Sequence, residues 1–590
     1  MARTLKSKTK RAGRTAAEAD EAAHGLFRQV GLIVRAIAGS GVGKTLIVLI
    51  IGLLVVIVAT AYGQIRLNAW NKPFYDALSR RDLHDFLRQL GVFFVIAFGL
   101  LVLNVAQKWL GEMLKLKLRD GLLHDLIRDW MLPRRAFWLA NAGAMGVNPD
   151  QRMHEDARKL CELSSDLGMG LLQASILFAT FAGILWGLSQ DFVFRIADRD
   201  YAIPGFMVWA AVIYASLGSL VSYWVGGSLI NRNSERYARE ADLRFSLVRV
   251  NEHLDGISLA GGEPDERRRI ELHIDNVLAA TRRLVRGLTN LTWVTAGFGW
   301  ITIVAPILVA APIYFAGKIS FGGLMMAAAA FTQAQSSLRW FVDNFSQIAD
   351  WRATLLRVAS FRYALTHTGE LSEFDSRINY AEGDPGVITI SNLRIVSSAG
   401  WDLLKEKNVV VRPGERLLVV GAPGTGKTLL FRALAGLWPW GEGDITHPKD
   451  EPIFYFPRGT PYLPRGTLRE VLAYPLKVES FEPAAFAHAL GRLGLERLER
   501  QLDESSRWDR ELSQDEQVSL AFARIVLQRP PWVLVDDTFG SLDDETLERV
   551  TDVFANELER TALINIGRAA QARDPFFSRV LHLVKSAGKA

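Results

Sequence analysis

One stretch of the sequence has residue types and spacing that are typical of phosphate binding. Residues 421–428 read GAPGTGKT, follow an apolar run that ends at Val420 and precede a helical pattern. Glycines at these spacings let backbone N–H groups converge on phosphate oxygens, while Lys427 reaches the outer phosphates and the Thr428 hydroxyl can ligate Mg²⁺. The predicted nucleotide-binding residues of this loop are Gly421, Gly424, Gly426, Lys427, Thr428 and Leu429.

A second segment further along the chain supplies a carboxylate that can ligate Mg²⁺. The letters WVLVDD combine a short apolar strand with Asp536 at its end. A carboxylate in that position holds Mg²⁺, usually through water, so the predicted metal ligands are Thr428 and Asp536. A similar loop, AGSGVGKT at 38–45, lacks the opening glycine and runs into an apolar stretch instead of following a strand. We interpret that loop as a chance match.

The elements that must position these motifs follow a long apolar region. The chain has 590 residues, of which 49% are hydrophobic, and this length exceeds what one core usually organises. Residues 45–63 carry no charge over nineteen positions, which is enough to cross most of a bilayer core. Further apolar runs lie at 90–109, 168–188, 205–228, 291–316 and 319–338. The sequence therefore predicts six membrane spans, the last of which is the least apolar.

The distribution of charge bears on orientation and partners. Residues 1–44 carry nine Lys or Arg against three acids, so the positive-inside rule predicts a cytoplasmic N-terminus. An even number of spans then leaves the C-terminal domain in the cytoplasm as well. The basic segments lack the interleaved aromatic residues that base stacking requires, which argues against nucleic acid as a partner. The single cysteine, Cys161, excludes an intrachain disulfide.

Several motifs resemble those of ABC transporters, in particular half-transporters that join a permease and a nucleotide-binding domain in one chain. The motifs are ALAGLWPWGEG, PYLPRGTLREVLAYP, LSQDEQVSLAFAR and SLDDE in the C-terminal part, and LNAWNKPFYDAL, NPDQRMHEDARKL and YFAGKISFGGLMM upstream. The upstream motifs resemble the permease of the SbmA/BacA-like group, which is related to peroxisomal fatty-acyl transporters. The resemblance implies a multi-domain membrane protein of the bacterial inner membrane, with ATP and Mg²⁺ as cofactors, that works as a homodimer or pairs with another half-transporter.

The predicted organisation follows from this resemblance together with the apolar runs. A basic cytoplasmic segment occupies 1–44, and an all-α transmembrane domain of the exporter type, with six helices, occupies 45–365. An α/β P-loop nucleotide-binding domain occupies 366–590.

The same resemblance exposes departures at positions that family members use for hydrolysis. Asp537 stands where the family has a glutamate that polarises the attacking water, and its carboxylate is shorter by about 1 Å. The signature LSGGE becomes LSQDE at 512–516, which keeps Ser513 but adds side chains and a negative charge beside the γ-phosphate. Arg568 replaces the expected switch histidine, and Arg458 is the nearest candidate in a Q-loop without its glutamine. Arginine binds phosphate but cannot repeat the proton chemistry of histidine.

These departures predict a protein that binds ATP and hydrolyses it slowly. In the family each composite site uses the phosphate loop of one subunit and the signature helix of the other, so both homodimeric and heterodimeric sites are affected. The catalytic positions are assigned to Asp537 and Arg568. Trp401 is assigned as the aromatic residue that stacks on the base, and Ser513 as a further phosphate contact.

Two functions follow from the sequence, and it does not decide between them. The leading one is a transporter that moves a bulky amphipathic cargo, peptide-, vitamin- or acyl-like by resemblance, in a direction that the sequence leaves open. The alternative is an ion-gradient-driven carrier whose P-loop domain binds nucleotide for regulation. Glu155 and Asp156 are the candidate titrating groups for that alternative, although helix capping or a coupling contact suits them better.

Overall fold

The computed structural model describes residues 25–140, 148–190, 193–196, 199–366, 376–397 and 400–585. They form two compact units, a helical unit of residues 25–130 and 148–366 and an α/β unit that joins residues 131–140 to the described part of 376–585. The α/β unit thus includes a short segment that the predicted boundaries assign to the permease. Most of the predicted basic segment 1–44 lies outside the described residues.

The first half of the chain is almost entirely helical. Its helices are α1 (Leu26–Gly39), α2 (Gly43–Arg80), α3 (Leu83–Trp130), α4 (Arg135–Ala140), α5 (Pro149–Ser189), α6 (Phe206–Gly226), α7 (Ser228–Glu252), α8 (Leu254–Leu259), α9 (Glu263–Phe315), α10 (Phe321–Asp343) and α11 (Phe345–Thr366). A π turn, Arg152–Asp156, interrupts α5 near its start, and an antiparallel pair of strands, β1 (Val193–Ile196) and β2 (Arg199–Ala202), follows its end. The segment 38–45 connects α1 to α2, so it follows a helix and not a strand. This setting agrees with its interpretation as a chance match to the phosphate-loop pattern.

Five helical stretches among the described residues are long and apolar enough to cross a membrane. They are Gly43–Arg80, Leu83–Trp130, Pro149–Ser189, Phe206–Glu252 and Glu263–Phe315, and each overlaps one of the first five predicted spans almost completely. The sixth predicted span falls on α10, which is helical but is not among the five. Glycine and alanine residues of α10 are buried against α2, α5, α6 and α9. Because small side chains allow close helix approach and neighbours shield α10 from lipid, it does not need a strongly apolar surface.

Two buried carboxylates of the helical unit hold α11 in place. Asp125 of α3 accepts hydrogen bonds from Arg362 Nε and Arg128 Nη2, both at 2.8 Å. Asp156, the last residue of the π turn, accepts from Arg357 Nε at 2.9 Å and from Arg357 Nη2 at 2.7 Å. These pairs satisfy carboxylates that would otherwise be buried without compensation.

The α/β unit is built on a large mixed sheet. Its strands are β3 (Asn379–Gly383), β4 (Ile388–Ser397), β5 (Gly400–Leu404), β6 (Asn408–Val411), β7 (Arg416–Gly421), β8 (Gly441–Pro448), β9 (Ile453–Phe456), β10 (Gly466–Thr467), β11 (Ser505–Ser506), β12 (Trp532–Asp536), β13 (Ala562–Ile566) and β14 (Arg579–Lys585). The sheet order is β3-β8-β4-β5-β14-β7-β13-β12-β9, with β6 paired to β4, while β10 and β11 pair separately. Strands β9, β12, β13, β7 and β14 run parallel. The strand-helix alternation of a P-loop domain produces this parallel core.

Helices complete the layers of the α/β unit. They are α12 (Lys427–Leu434), α13 (Leu468–Ala473), α14 (Pro483–Arg492), α15 (Trp508–Glu511), α16 (Gln514–Gln528) and α17 (Asp544–Asn556). Two apolar clusters are buried against the sheet, one containing α16 and the other α12. The strand β12 is buried along its whole length, because parallel strands inside such a fold are covered on both faces.

The short helix α4 packs next to the C-terminal end of α12. Trp138 of α4 donates its indole N–H to the carbonyl oxygen of Leu437 at 3.1 Å. The Arg432 guanidinium lies 5.5 Å from the centre of the Phe137 ring. An aromatic pair therefore anchors this short segment to the α/β unit.

Candidate nucleotide-binding site

The phosphate loop connects β7 to α12, as the sequence predicted. Strand β7 lies between β13 and β14, and the helix begins at Lys427, directly after the loop. Gly424 and Gly426 have φ values of +82° and +59°, a region that residues with a Cβ rarely enter. Left-handed glycines followed directly by a helix N-terminus are features of loops that bind phosphate.

A buried acid lies directly under this loop. A Cβ placed on Gly426 would come within 2.5 Å of Asp402 Oδ2. Asp402, in β5, is 1% exposed, and neither of its carboxylate oxygens has a well-formed hydrogen bond with a described residue. Burial raises the pKa of Asp402 above its ordinary range. The sequence analysis did not name this residue, although an aspartate inside the apolar strand WDLL was a usable signal.

Lys427 and Asp536 lie at the ends of neighbouring elements around the loop. The Lys427 ammonium donates to the carbonyl oxygen of Gly567 at 3.2 Å, just beyond β13. Asp536 ends β12, is buried, and has one carboxylate oxygen, Oδ2, without a hydrogen-bond partner among the described residues. Burial raises the pKa of Asp536, and the neighbouring Asp537 charge adds to that effect, while a hydrogen bond from Thr428 opposes it.

The oxygen ligands present fit a magnesium ion. The Thr428 hydroxyl and the unpartnered Asp536 oxygen are both hard donors, and they lie close enough for Thr428 to bond the Asp536 carboxylate. Mg²⁺ is commonly held by one or two such groups together with substrate phosphates and water. No group of three or more His, Cys, Asp or Glu side chains suited to a metal ion occurs in the described part of the chain, so a cage made of protein alone is not the arrangement found here.

The structure brings three of the altered residues together. The Asp537 carboxylate lies between two guanidinium groups, with Arg568 Nε 3.3 Å from Oδ1 and Arg458 Nη2 3.8 Å from Oδ2. The Asp537 side chain is only 9% exposed, whereas the two arginines are more than half exposed. Asp537 itself has φ +53°, and its N–H donates to Ile566 O at 2.7 Å, which holds the backbone at this residue. Both carboxylate oxygens therefore lie beside cations, at the residue that the sequence analysis assigned to catalysis.

The one histidine that follows Arg568 in the sequence does not stand in for the expected switch residue. The chain has one histidine beyond Arg568, namely His582 in β14. Its ring Nδ1 lies 3.1 Å from Glu406 Oε1, and its backbone N–H donates to Glu406 Oε2. The structure thus assigns His582 to a contact with Glu406 and leaves Arg568 beside Asp537.

The signature segment begins a well-capped helix. Ser513 is the N-cap of α16, where its hydroxyl accepts the Glu516 N–H at 3.3 Å and the Glu516 carboxylate accepts the Ser513 N–H at 2.9 Å. Burial works against ionisation of Glu516, but hydrogen bonds from Arg497 and Ser513 prevail and lower its pKa. Asp515, in the first turn, is exposed. Two acids in one first turn reduce the positive potential that this helix end can offer to a phosphate.

Trp401 and Leu429 are placed differently from the other predicted residues. Trp401 precedes Asp402 in β5, and because successive strand residues point to opposite faces, it points away from the face on which Asp402 meets Gly426. The Arg394 guanidinium lies 4.8 Å from the centre of the Trp401 ring. Leu429 packs against the apolar cluster around α12, so its side chain serves the core.

The two acids proposed for ion coupling lie in the π turn of α5. Asp156 is buried, and its two oxygens accept hydrogen bonds from both nitrogens of the Arg357 fork, which is a structural contact between α5 and α11. Glu155 is exposed. A different polar group lies between α3 and α5, where Lys115 Nζ is 3.0 Å from Glu112 and 2.8 Å from Asp166.

Fold and site together define a class of protein. A bundle with several membrane-spanning helices precedes, on one chain, a P-loop domain with its strand-borne aspartate. That combination is the architecture of transporters that use ATP.

Comparisons with known proteins narrow the class. The family model "ABC transporter transmembrane region 2" matches residues 33–315, and the model "ABC transporter" matches residues 404–540. The chain is therefore an ABC half-transporter, a multi-pass membrane protein with its own ABC ATPase domain.

Curated relatives match along most of the chain. The inner membrane ABC transporter ATP-binding protein YddA of Escherichia coli is 28% identical over 89% of this chain and 91% of its own length. The human lysosomal cobalamin transporter ABCD4 is 23% identical over 86% of this chain and 87% of its own length. Among solved structures, a bacterial Atm1-family ABC exporter with ATP bound has a TM-score of 0.70 at 16% identity, and the match covers 92% of this chain and 94% of that chain. The last likeness concerns the fold, which is that of an exporter.

Proposed function

We propose that this ABC half-transporter holds ATP firmly and hydrolyses it slowly while it moves a bulky amphipathic cargo across a bacterial inner membrane. One observation carries the proposal of slow turnover. The carboxylate at the catalytic position, Asp537, lies between Arg568 and Arg458, at 3.3 and 3.8 Å. A general base must accept a proton from the attacking water, and its two oxygens are here engaged by permanent cations.

The same cations favour retention of the nucleotide. Each exposed arginine contributes about 1 kcal/mol or less to its pair with Asp537, because solvent screens the interaction. A guanidinium has five N–H donors, so each side chain can bind a phosphate oxygen while it remains beside Asp537. Charge-assisted hydrogen bonds to phosphate are stronger than neutral ones, so the two arginines strengthen nucleotide binding although they slow hydrolysis.

The proposed roles of the loop residues follow their positions. Lys427 exchanges its contact with the Gly567 carbonyl for the outer phosphates. Thr428 and the free oxygen of Asp536 would hold Mg²⁺, which would neutralise phosphate charge. Ser513 is proposed to donate its hydroxyl hydrogen to the phosphate of a second subunit, since within its own chain that hydroxyl acts as an acceptor. For Trp401 we propose no stacking role, because Arg394 covers its ring.

We further propose a homodimer, or a dimer with another half-transporter, with both termini in the cytoplasm and six spans per chain. The resemblance to the SbmA/BacA-like group and the likeness to a protein named as a cobalamin transporter both support a peptide-like or vitamin-like cargo, and the wider family also supports an acyl-like one.

Nucleotide binding is tested with purified protein in lipid and a fluorescent ATP analogue. Lys427→Ala should abolish binding, because it removes the one ammonium in the phosphate loop. Lys449→Ala is the matched control, since Lys449 is an exposed lysine of the same unit in a turn after β8. Equal binding by the Lys427 variant and the wild type would contradict the proposed site.

A second candidate function is a carrier driven by an ion gradient, with nucleotide as a regulator. The observation that favours it is the arrangement of Lys115 between Glu112 and Asp166, which lines a cavity of about 290 Å³ between α3 and α5. Gln107 and Gln173 line the same cavity and share a hydrogen bond of 3.0 Å. Such a polar cavity beside membrane helices is where a coupling ion could bind.

One transport experiment separates the two functions. A fluorescent peptide is supplied to liposomes that contain wild-type protein or Lys427→Ala, with and without a proton gradient. ATP-driven transport requires Lys427 and tolerates collapse of the gradient. Transport that survives Lys427→Ala and stops when the gradient collapses would assign the power source to the ion.

A further inference from the structure

One buried carboxylate beside the phosphate loop has no role in the proposed function. Asp402 of β5 is 1% exposed, and neither of its oxygens has a well-formed hydrogen bond with a described residue. Buried polar groups in native structures are nearly always hydrogen-bonded, because an unpaired one is costly. The few exceptions call for an explanation in terms of what the group binds.

The Asp402 carboxylate is close to a residue of the loop that would hold phosphate. A Cβ on Gly426 would lie 2.5 Å from Asp402 Oδ2, so that oxygen lies within about 4 Å of the Gly426 Cα atom. Backbone N–H groups of such a loop bind the phosphates of a nucleotide. When the Gly426 N–H donates to a phosphate oxygen, the carboxylate and that oxygen are at most about 8 Å apart.

Two neighbouring strands contribute the groups that favour the charged form of Asp402. They are the Ser397 hydroxyl of β4 and the Lys585 ammonium of β14, whose backbone pairs with that of Asp402. Lys585 is exposed, so solvent screens its charge, and burial outweighs both groups and raises the pKa of Asp402. Arg394 of β4 lies over Trp401, on the opposite face of the strand.

The polar side chains of the loop are engaged with other groups. Lys427 donates to Gly567 O at 3.2 Å, and the Thr425 hydroxyl donates to Ala422 O at 2.7 Å. A triphosphate that enters the loop therefore adds negative charge near a carboxylate that has little compensation. At about 8 Å and an effective dielectric of about 20, two unit negative charges repel enough to weaken binding roughly thirtyfold. Lys427 and Mg²⁺ offset part of this repulsion, which leaves about tenfold.

We propose that Asp402 is a proton-binding site coupled to the nucleotide site, so that the triphosphate binds together with one proton. The proton comes from solvent and neutralises the Asp402 carboxylate as the phosphates bind. It returns to solvent when the nucleotide leaves. This inference rests on the proposed nucleotide-binding function and adds to it a regulation by pH.

The direction of the effect follows from the charge of the phosphates. Negative charge nearby disfavours an ionised carboxyl group, so the pKa of Asp402 is higher with nucleotide bound than without it. The complex therefore holds more protons than the free protein in the interval between the two pKa values. By linkage, the affinity for nucleotide falls as the pH rises through that interval.

The test measures the affinity of the full chain in lipid for a fluorescent ATP analogue with Mg²⁺, from about pH 5 to about pH 8.5. Asp402→Asn carries no charge at this position at any pH. Relative to that variant, the wild type should bind equally well at the acidic end and lose about tenfold in affinity towards the alkaline end. Phosphate groups themselves titrate near pH 6, and the comparison with Asp402→Asn removes that contribution.

A second measurement counts the proton directly. Calorimetric titration in two buffers with different enthalpies of protonation gives the number of protons taken up on binding. The wild type should take up more protons than Asp402→Asn, by up to one per nucleotide. Asp384→Asn is the matched control, because Asp384 is an exposed aspartate in the connection between β3 and β4. It should keep the pH profile and the proton count of the wild type.

A further variant separates the charge of Asp402 from its shape and hydrogen bonding. Asp402→Leu is neutral and similar in size, so its affinity should follow the same pH profile as that of Asp402→Asn. Melting temperatures show whether both variants fold.

Two results would overturn the proposal while leaving the nucleotide site in place. The wild type and Asp402→Asn could have parallel pH profiles and equal proton counts. Alternatively, both neutral variants could bind more weakly than the wild type by one factor at every pH, which would assign Asp402 to the shape of the loop. A wild type that binds no nucleotide at any pH would instead refute the proposed nucleotide site, and this inference with it.

Discussion

Turnover should rise when the carboxylate at position 537 is lengthened and its arginine neighbour is replaced at the same time. In the wild type, Arg568 Nε lies 3.3 Å from Asp537 Oδ1, and a Cβ on Gly540 would lie 3.5 Å from that oxygen. A glutamate reaches about 1 Å further, so Asp537→Glu by itself moves the carboxylate into Arg568 and tightens the pair. The single variant should therefore gain little.

The double variant, Asp537→Glu with Arg568→His, removes this obstacle. Correct placement of a catalytic group by about 1 Å is worth roughly 100-fold in rate, so turnover should rise by up to about that factor. Histidine also titrates near neutral pH, which arginine does not. The activity of the double variant should consequently gain a pH dependence between about pH 5 and 8 that the wild type lacks.

The assay is phosphate release from proteoliposomes at saturating ATP and Mg²⁺. All proteins carry Gln514→Gly and Asp515→Gly, so that the signature segment contributed by the second subunit does not limit the rate. Arg573→His is the matched control, because Arg573 ends the short turn Ala569–Arg573 that Arg568 caps, and it is an exposed arginine. Its turnover should equal that of its parent protein.

Two results would refute the reasoning about this site. The unmodified protein could already turn over ATP at the 1 to 10³ per second that is usual for enzymes. Alternatively, the double variant could bind the fluorescent nucleotide normally and yet be no faster than Asp537→Glu.

Three further predictions concern residues that only the structure brings together. Gly426→Ala should abolish nucleotide binding in the fluorescent-analogue assay, because its Cβ would lie 2.5 Å from Asp402 Oδ2 at a φ of +59°; normal affinity would mean that the loop adapts. Asp402→Asn should raise the melting temperature at pH 7. Burial raises the pKa of Asp402, so the folded state holds this proton more tightly than the unfolded state does. The stability of the wild type therefore falls as the pH rises from the ordinary aspartate range through the raised pKa. The variant should lose that decline, and an unchanged melting profile from pH 4 to 8 would contradict the assignment. Arg357→Ala should destabilise the helical unit by about 1–3 kcal/mol, because it leaves the buried Asp156 carboxylate without its partner. In a thermal melt, the double variant Arg357→Ala with Asp156→Ala should recover part of the lost stability.

Local motifs were readable from the sequence because short-range geometry fixes them. The GAPGTGKT loop needs left-handed glycines after a buried strand, and the structure has them at Gly424 and Gly426. The first five apolar runs each fall on a helix that is long enough to span a membrane. The sixth run was harder to classify, because neighbours bury α10 and its small residues serve packing.

Contacts between residues that are far apart in the sequence could not be predicted from these local patterns. Asp402 appeared as an ordinary strand residue, and its position under Gly426 depends on the order of strands in the sheet. Trp401 was the one aromatic residue in its segment that could stack on a base. Because side chains alternate along a strand, it points away from the face on which Asp402 meets Gly426. Asp156 was interpreted from its neighbours in sequence, whereas its partner Arg357 lies two hundred and one positions away.

The sequence by itself predicted that this chain crosses a membrane, has a P-loop domain and departs from its relatives at the residues for hydrolysis. Those conclusions rest on residue identity, on helical and strand periodicity and on the steric freedom of glycine, all of which act over a few positions. Tertiary structure alone decided that Arg458 and Arg568 meet at Asp537. Distances between charges depend on how buried strands and helices pack, and packing is a property of the whole fold.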